Sequence, residues 1–303
     1  MNTEANIIEI LKNSSKYLKA VFHKEPPDYL YHYTDAKGLY GIFDKMAIWA
    51  TNAGYLNDSK ELSLAFEISE CELEKERSKA KTVEEQRLFS KMLRNLRNNS
   101  ELDIRSNYVC SFSEISDSLS QWRAYCSEGG YSLGLPSEFL KKRAELQRFT
   151  LVPCIYEKQE QHDIIAEIIS LCLNRFRNNK SKLVPEQINR EIDSVSYYFT
   201  VMVMQIAPII KHKSFEEEKE WRLITLVDKP KRSHPEYRCG RSMLIPYRSF
   251  KLIDKSDILS DLRVVVGPTP HPERAKESAG WFLFSRRCSQ PNIKISNSPY
   301  QHW

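Results

Sequence analysis

The sequence predicts an α+β fold. Three observations carry that expectation: short alternating or β-branched runs recur along the 303 residues, long stretches of helical composition separate them, and no regular strand-helix-strand repeat orders them into a doubly wound sheet. Hydrophobic residues make up 41% of the chain and aromatic residues 11%, with only nine glycines, so it has the material for a packed core and none of the composition of collagen-like or disordered chains. Its length fits one elaborated domain or two small ones.

Residues 1–27 read as an N-terminal helical segment, with Ile7, Ile8, Leu11, Leu18 and Val21 on one amphipathic face. Glu9, Lys12, Lys16 and Lys19 interrupt the continuous apolar core that a signal peptide needs. From residue 28 onward the chain reads as one domain, since no Gly/Ser-rich or Pro-rich linker and no internal repeat divides it. "DYLYHYT" alternates as a strand, residues 36–46 follow as a short helix, and "AIWAT" is a second strand. Asn57 and Asp58 suit a helix cap. The charged stretch from about 58 to 99 reads as an inserted pair of exposed helices, a lid or partner surface and not core. "NYVCSFS" is a strand, "SDSLSQWRAY" a short helix, and "GGYSLGL" a turn into a strand. A second helical insertion spans about 160–212, its later part open to an extended reading because of "YYFTVMVM". "EKEWRLI", "RSMLIPYR" and "RVVVGP" read as further strands, and the last of these opens a strand, helix, strand unit that closes on "NIKIS".

Several function classes drop out on composition and motif. Seven cysteines without a C-x-x-C pair point to a reducing, cytoplasmic setting and no disulfide framework. The most apolar run, "VMVMQIAPII", is too short to span a membrane, so no membrane partner is expected. No H-x-x-x-H or C-x-x-C spacing supports a metal, and G-x-S-x-G and the Walker A pattern are absent. The net charge of +5 is small, but residues 229–251 hold Lys229, Lys231, Arg232, Arg238, Arg241, Arg248 and Lys251 against the single acid Glu236. That run fits a solvated hairpin or a surface that grips phosphates.

Three polar clusters stand on predicted strands: His32 with Thr34, Ser111 with Ser113, and Glu218 with Glu220. Residues two apart in a strand share a face, so each cluster offers a pair of polar groups to one side. Glu218, Glu220 and Arg222 are expected to face one way and Trp221 and Leu223 the other, so the charges need not enter the core. An edge strand with a wet face, or a helix pairing Glu218 with Arg222, would look similar.

Read together, "YHYT", "WAT…YLND…E", "SFS…SQWRAY" and "FEEEKEWR" resemble the ordered motifs of an uncharacterised bacterial family, a domain of unknown function, over roughly residues 28–300. More distantly the pattern is similar to the ADP-ribosyltransferase superfamily. His32-Tyr33-Thr34 resembles its His-x-Thr motif, Ser111-Phe112-Ser113 its Ser-x-Ser motif and Glu218-Lys219-Glu220 its Glu-x-Glu motif. The resemblance implies an ADP-ribosyltransferase-like split β-sheet with large helical insertions, NAD as substrate, and a bacterial defence or toxin-like setting.

On that reading Glu220 stabilises the positive charge that develops when the bond from nicotinamide to ribose breaks, and Glu218 orients or deprotonates the acceptor. His32 bonds a ribose hydroxyl with Thr34, Ser111 and Ser113 in support, and Trp122 or Tyr125 stacks on nicotinamide. Arg238, Arg241 and Arg248 would hold a nucleic-acid acceptor, placed slightly ahead of a protein acceptor bound through the 58–99 insertion. An NAD glycohydrolase and a non-catalytic nucleotide-sensing or regulatory module use the same residues and stay open.

Overall fold

The computed structural model describes residues 16–56, 59–99, 107–126, 128–225, 234–240, 242–254 and 257–299. Asn57, Asp58 and Arg241, most of the N-terminal segment, and Lys229, Lys231 and Arg232 lie outside them. In chain order the helices are α1 (Lys16–Phe22), α2 (Ala36–Lys45), α3 (Ser59–Ser78), α4 (Val83–Asn99), α5 (Leu119–Tyr125), α6 (Ser137–Leu146), α7 (Lys158–Lys180), α8 (Pro185–Ile206) and α9 (Pro272–Phe284). The strands are β1 (Tyr29–Thr34), β2 (Ala47–Asn52), β3 (Tyr108–Ser113), β4 (Tyr131–Pro136), β5 (Phe149–Pro153), β6 (Glu220–Thr225), β7 (Glu236–Cys239), β8 (Leu244–Lys251), β9 (Arg263–Val266) and β10 (Asn292–Ile295). The fold is α+β, with a mostly antiparallel sheet in which β9 and β10 form the parallel pair.

The sheet runs β10-β9-β4-β1-β3-β2-β8-β7, and β6 joins β3 from the other side with β5 beyond it. One edge of β3 carries β6 from Val109 to Ser113. Its opposite edge is shared: β2 pairs only at Tyr108 and Val109, and β1 only at Ser113. The sheet therefore opens between β1 and β2, with the middle of β3 as the floor of the opening.

Helices cover both faces. On one side α3, α4, α7 and α8 pack Phe66, Phe89, Met92, Ile168, Phe199 and Met202 into a continuous core that ends on Val109, Val152 and Ile224 of β3, β5 and β6. On the other side Phe43 of α2, Leu140 of α6 and Leu283 of α9 pack on Leu30, Phe112, Trp221, Phe250 and Val264. Short connections are capped locally: Asp35 accepts from the Gly38 amide at the start of α2, and Met46 leaves it in the left-handed region at φ 50.

One expectation needs correction, and one reading left open is decided. The 58–99 insertion is core, not a lid, because Leu88, Phe89, Met92, Leu93 and Leu96 recur at helical spacing under a charged outer face and are buried in the first cluster. The stretch "YYFTVMVM" is helical, since Ile192, Val195, Phe199, Met202 and Ile206 form one stripe against that same core. No helix among the described residues is long and apolar enough to cross a membrane.

Candidate functional site

The glutamate-rich segment is a turn followed by an interior strand. Lys213–Glu218 forms a 3₁₀ turn whose Glu216 and Glu217 face solvent, Lys219 takes the left-handed conformation at φ 42, and Glu220 enters β6. A left-handed lysine costs about 1–2 kcal/mol. The geometry it permits brings Glu218 and Glu220 to one ammonium: Lys211 Nζ lies 2.6 Å from Glu218 Oε2 and 2.5 Å from Glu220 Oε2. Arg222 holds the same carboxylate through Nε at 2.7 Å and Nη2 at 3.1 Å, and donates Nη1 to the Pro208 carbonyl at 2.5 Å.

The cluster is inside the protein. Glu220 is 5% exposed, Arg222 3% and Lys211 2%: the charges, which strand alternation did not require to enter the core, do enter it, with counter-charges in place. The edge-strand and helix alternatives fall as well, because β6 is flanked by β3 and β5 along its length. Burial by itself would raise the pKa of Glu220; the charges and hydrogen bonds of Arg222 and Lys211 outweigh it and hold the carboxyl at about 2. Lys211 is fixed by its backbone, whose N–H donates to the Ile155 carbonyl at 3.0 Å. The Tyr156 hydroxyl accepts the Glu220 N–H at 2.9 Å.

Ser113 stands directly across β3 from Glu220. Its hydroxyl donates to the Glu218 carbonyl at 2.7 Å and accepts from the Ile115 amide at 3.0 Å, so it pins the turn that presents the two glutamates. Ser111 faces Arg222 from the same strand. Tyr125, at the end of α5, is 44% exposed, and its hydroxyl is pushed up to about 12 by burial first and then by the charges of Glu220 and Glu218.

His32 arrives from β1 by a different route. Its Nδ1 donates to the Ser111 carbonyl at 2.9 Å, supplying a partner to β3 where the flanking strands part. Burial lowers its pKa, so the ring is neutral with Nε2 as an acceptor. The registers put Tyr31 across from Ser113 and Ser113 across from Glu220, so by strand alternation the His32 side chain leaves the sheet on the face of Phe112, whose ring is 5.7 Å away, and not on that of Glu220. Thr34 ends β1 just before the Asp35 cap of α2, where a side chain on Gly38 would collide with Thr34 Oγ1.

Trp122 is fully buried, edge-on to Tyr33 at 4.7 Å, with its indole N–H on Asp117 Oδ1 at 2.6 Å. It belongs to a small aromatic core with Tyr31, Tyr33, Cys126 and Val265, and its faces are taken. Arg238 and Arg248 lie on β7 and β8, beyond β2, whereas Glu220 lies on the opposite side of β3. Arg238 and Arg248 therefore follow β6 in sequence without standing beside it. Lys211 and Tyr156 are site residues that motif reading missed; the one sequence signal was a lysine ending the apolar run "APII".

Among the described residues, no group of three or more His, Cys, Asp or Glu is placed to hold a metal ion. All seven cysteines are free thiols. No curated protein and no solved structure matched the chain. Residues 121–223 match the family model described as "Protein of unknown function (DUF2971)". The matched stretch runs from α5 to β6 and includes Tyr125, Lys211, Glu218, Glu220 and Arg222, while His32 and the Ser-x-Ser pair precede it. Over about a third of its length, and not over the expected 28–300, the chain is similar to an uncharacterised family of unknown function.

Proposed function

We propose that this protein is an NAD-dependent ADP-ribosyltransferase that modifies a macromolecule, with its site where β1, β3 and β6 adjoin. One observation carries the reading: His32 with Thr34, Ser111 with Ser113, and Glu220 lie on three neighbouring strands at an opening in the sheet, with Glu218 on the turn that leads into the third, Ser113 across from Glu220 and His32 bonded to the Ser111 carbonyl.

In the proposed reaction the bond from nicotinamide to ribose breaks, and nicotinamide leaves with the electron pair. Positive charge builds on the anomeric carbon, and the acceptor's nucleophile forms the new bond there. Glu220 supplies the compensating charge, and its low pKa keeps it ionised at neutral pH. Lys211 and Arg222 fix its orientation. Glu218 takes the acceptor's proton, and Tyr125 offers a half-exposed ring beside the carboxylates. His32, on the other face of the sheet, steadies β3 at the opening through the Ser111 carbonyl and acts on the site as a positioning residue. With water as acceptor the same groups would perform NAD hydrolysis.

A second reading has its own observation. Both oxygens of Glu220 already accept from Arg222 or Lys211, and the Ser113 hydroxyl is used within the fold. Such a saturated cluster suits a structural ion network in a non-catalytic nucleotide-sensing module. Incubating the protein with adenylate-labelled NAD and cell lysate, then separating protein, RNA and DNA, decides among the readings. Label on a polymer is the expected result; free ADP-ribose alone indicates hydrolysis, and intact NAD overturns the enzymatic reading.

A further inference from the structure

A second polar and aromatic constellation lies on β2, β8 and β7, outside the groups assigned to chemistry. Trp49 is 36% exposed, with its ring 4.8 Å from that of Tyr247. The Arg238 guanidinium lies over Trp49 at 5.9 Å and donates Nη2 to Thr51 Oγ1 at 3.2 Å. Its Nε–H is buried and has no acceptor among the described residues. Glu236 closes the patch, accepting from the Tyr247 hydroxyl at 3.2 Å and the Ser249 hydroxyl at 2.7 Å. Register confirms a shared face: Trp49 is across from Ser249, Thr51 from Tyr247, and Tyr247 from Glu236.

We infer that Trp49, Tyr247, Arg238 and Glu236 form a subsite for a nucleobase. A base has a flat π-face for Trp49, acceptor atoms for the guanidinium edge of Arg238, and an exocyclic donor for the carboxylate. A simple anion would meet Glu236, and an aliphatic ligand would leave the arginine unanswered. The patch also connects to the proposed reaction centre. Thr51 pairs with Val109, four residues before Ser113 on β3, a reach of about 14 Å along the strand.

The source of the base rests on the function proposed above: it is the adenine of NAD or a base of a single-stranded acceptor. Titration calorimetry of wild type, Trp49→Ala, Trp49→Phe and Arg238→Gln with AMP, with NAD and with an eight-nucleotide adenine oligomer tests this. Wild type should bind AMP, Trp49→Ala should weaken binding about tenfold to a hundredfold, and Trp49→Phe should stay within about threefold. Arg238→Gln should also weaken it. Thermal melts establish that each variant is folded, and the two positions are independent checks. NAD binding that falls in parallel identifies adenine as the occupant. Oligomer binding that exceeds AMP binding and declines steeply with salt identifies a strand. No AMP binding by wild type, or AMP binding indifferent to both Trp49 and Arg238, overturns the subsite. Intact NAD alongside Trp49-dependent AMP binding would instead end the enzymatic reading and leave the subsite standing.

Discussion

Replacing Glu220 with glutamine keeps the side chain's shape and removes a charge that two buried cations share. The carboxyl's folded pKa of about 2 lies below its ordinary value of 4.5. A depressed folded value means that the group's contribution to stability is present above the unfolded pKa and is lost as pH falls through the folded one. The difference between the two values is worth about 3 kcal/mol. Removing the carboxylate also leaves Lys211 and Arg222 short of counter-charge, and breaking a buried pair from one side costs about 3–5 kcal/mol. Glu220→Gln should therefore be about 3–5 kcal/mol less stable than wild type at pH 7, with the gap shrinking between pH 4.5 and pH 2. Urea unfolding at pH 7, 5 and 3 measures it. A gap below 1 kcal/mol at pH 7, or one that stays constant down to pH 3, would refute the account of the cluster. Such a loss takes a large part of the roughly 5–15 kcal/mol that a domain has. Turnover must accordingly be compared per folded molecule, at low temperature, where the variant is expected to bind NAD and fail to cleave it.

Lys211→Met should cost about 3–5 kcal/mol, and adding Glu218→Gln in that background should restore part of it, because a buried carboxylate is no longer left facing another; thermal melts that show no recovery would contradict the coupling. Trp122→Phe should lose about 1–3 kcal/mol through the Asp117 hydrogen bond and lost volume, with NAD affinity unchanged. A tenfold drop in affinity without a drop in stability would return Trp122 to the binding site. His32→Ala should weaken NAD binding about tenfold and destabilise the fold by about 1 kcal/mol through the unpaired Ser111 carbonyl, which calorimetry and melting check separately.

Strands were legible because period-two alternation survives in "YLYHYT" and "YVCSFS" whatever packs on them. The helical insertion was misjudged for a physical reason: its apolar stripe is thin and heavily outnumbered by Glu, Lys and Arg, so composition spoke for solvent while spacing spoke for core. β5 and β7, five and four residues long, have too few alternations to stand out and are strands because β6 and β8 hold them. The relation of Glu218 to Glu220 was only half readable. Strand spacing gave them a common side, but the meeting at Lys211 depends on Lys219 turning left-handed and on a lysine seven to nine residues upstream. The side taken by His32 relative to Glu220 is fixed by inter-strand register, which no local pattern contains.

The charge at the mouth of β6 is graded by depth. Glu216 and Glu217 are exposed and need no partner, Glu218 is half-buried and takes one ammonium, and Glu220 is buried and takes a guanidinium and the same ammonium. Two carboxylates and two cations make the buried set neutral, which is why an interior strand tolerates it. The sharing of Lys211 matters for the proposed chemistry. An ammonium held by two carboxylates can move toward Glu218 and retain a counter-charge, and that movement frees one acceptor position on Glu220 Oε2 for a sugar hydroxyl while Arg222 still donates to both oxygens. A carboxylate paired to Lys211 alone would have to break its ion pair outright to bind substrate. The second glutamate thus lowers the cost of making the first available, and Glu218→Gln is expected to reduce turnover more than NAD affinity. Equal losses in both would assign Glu218 to binding and remove this role.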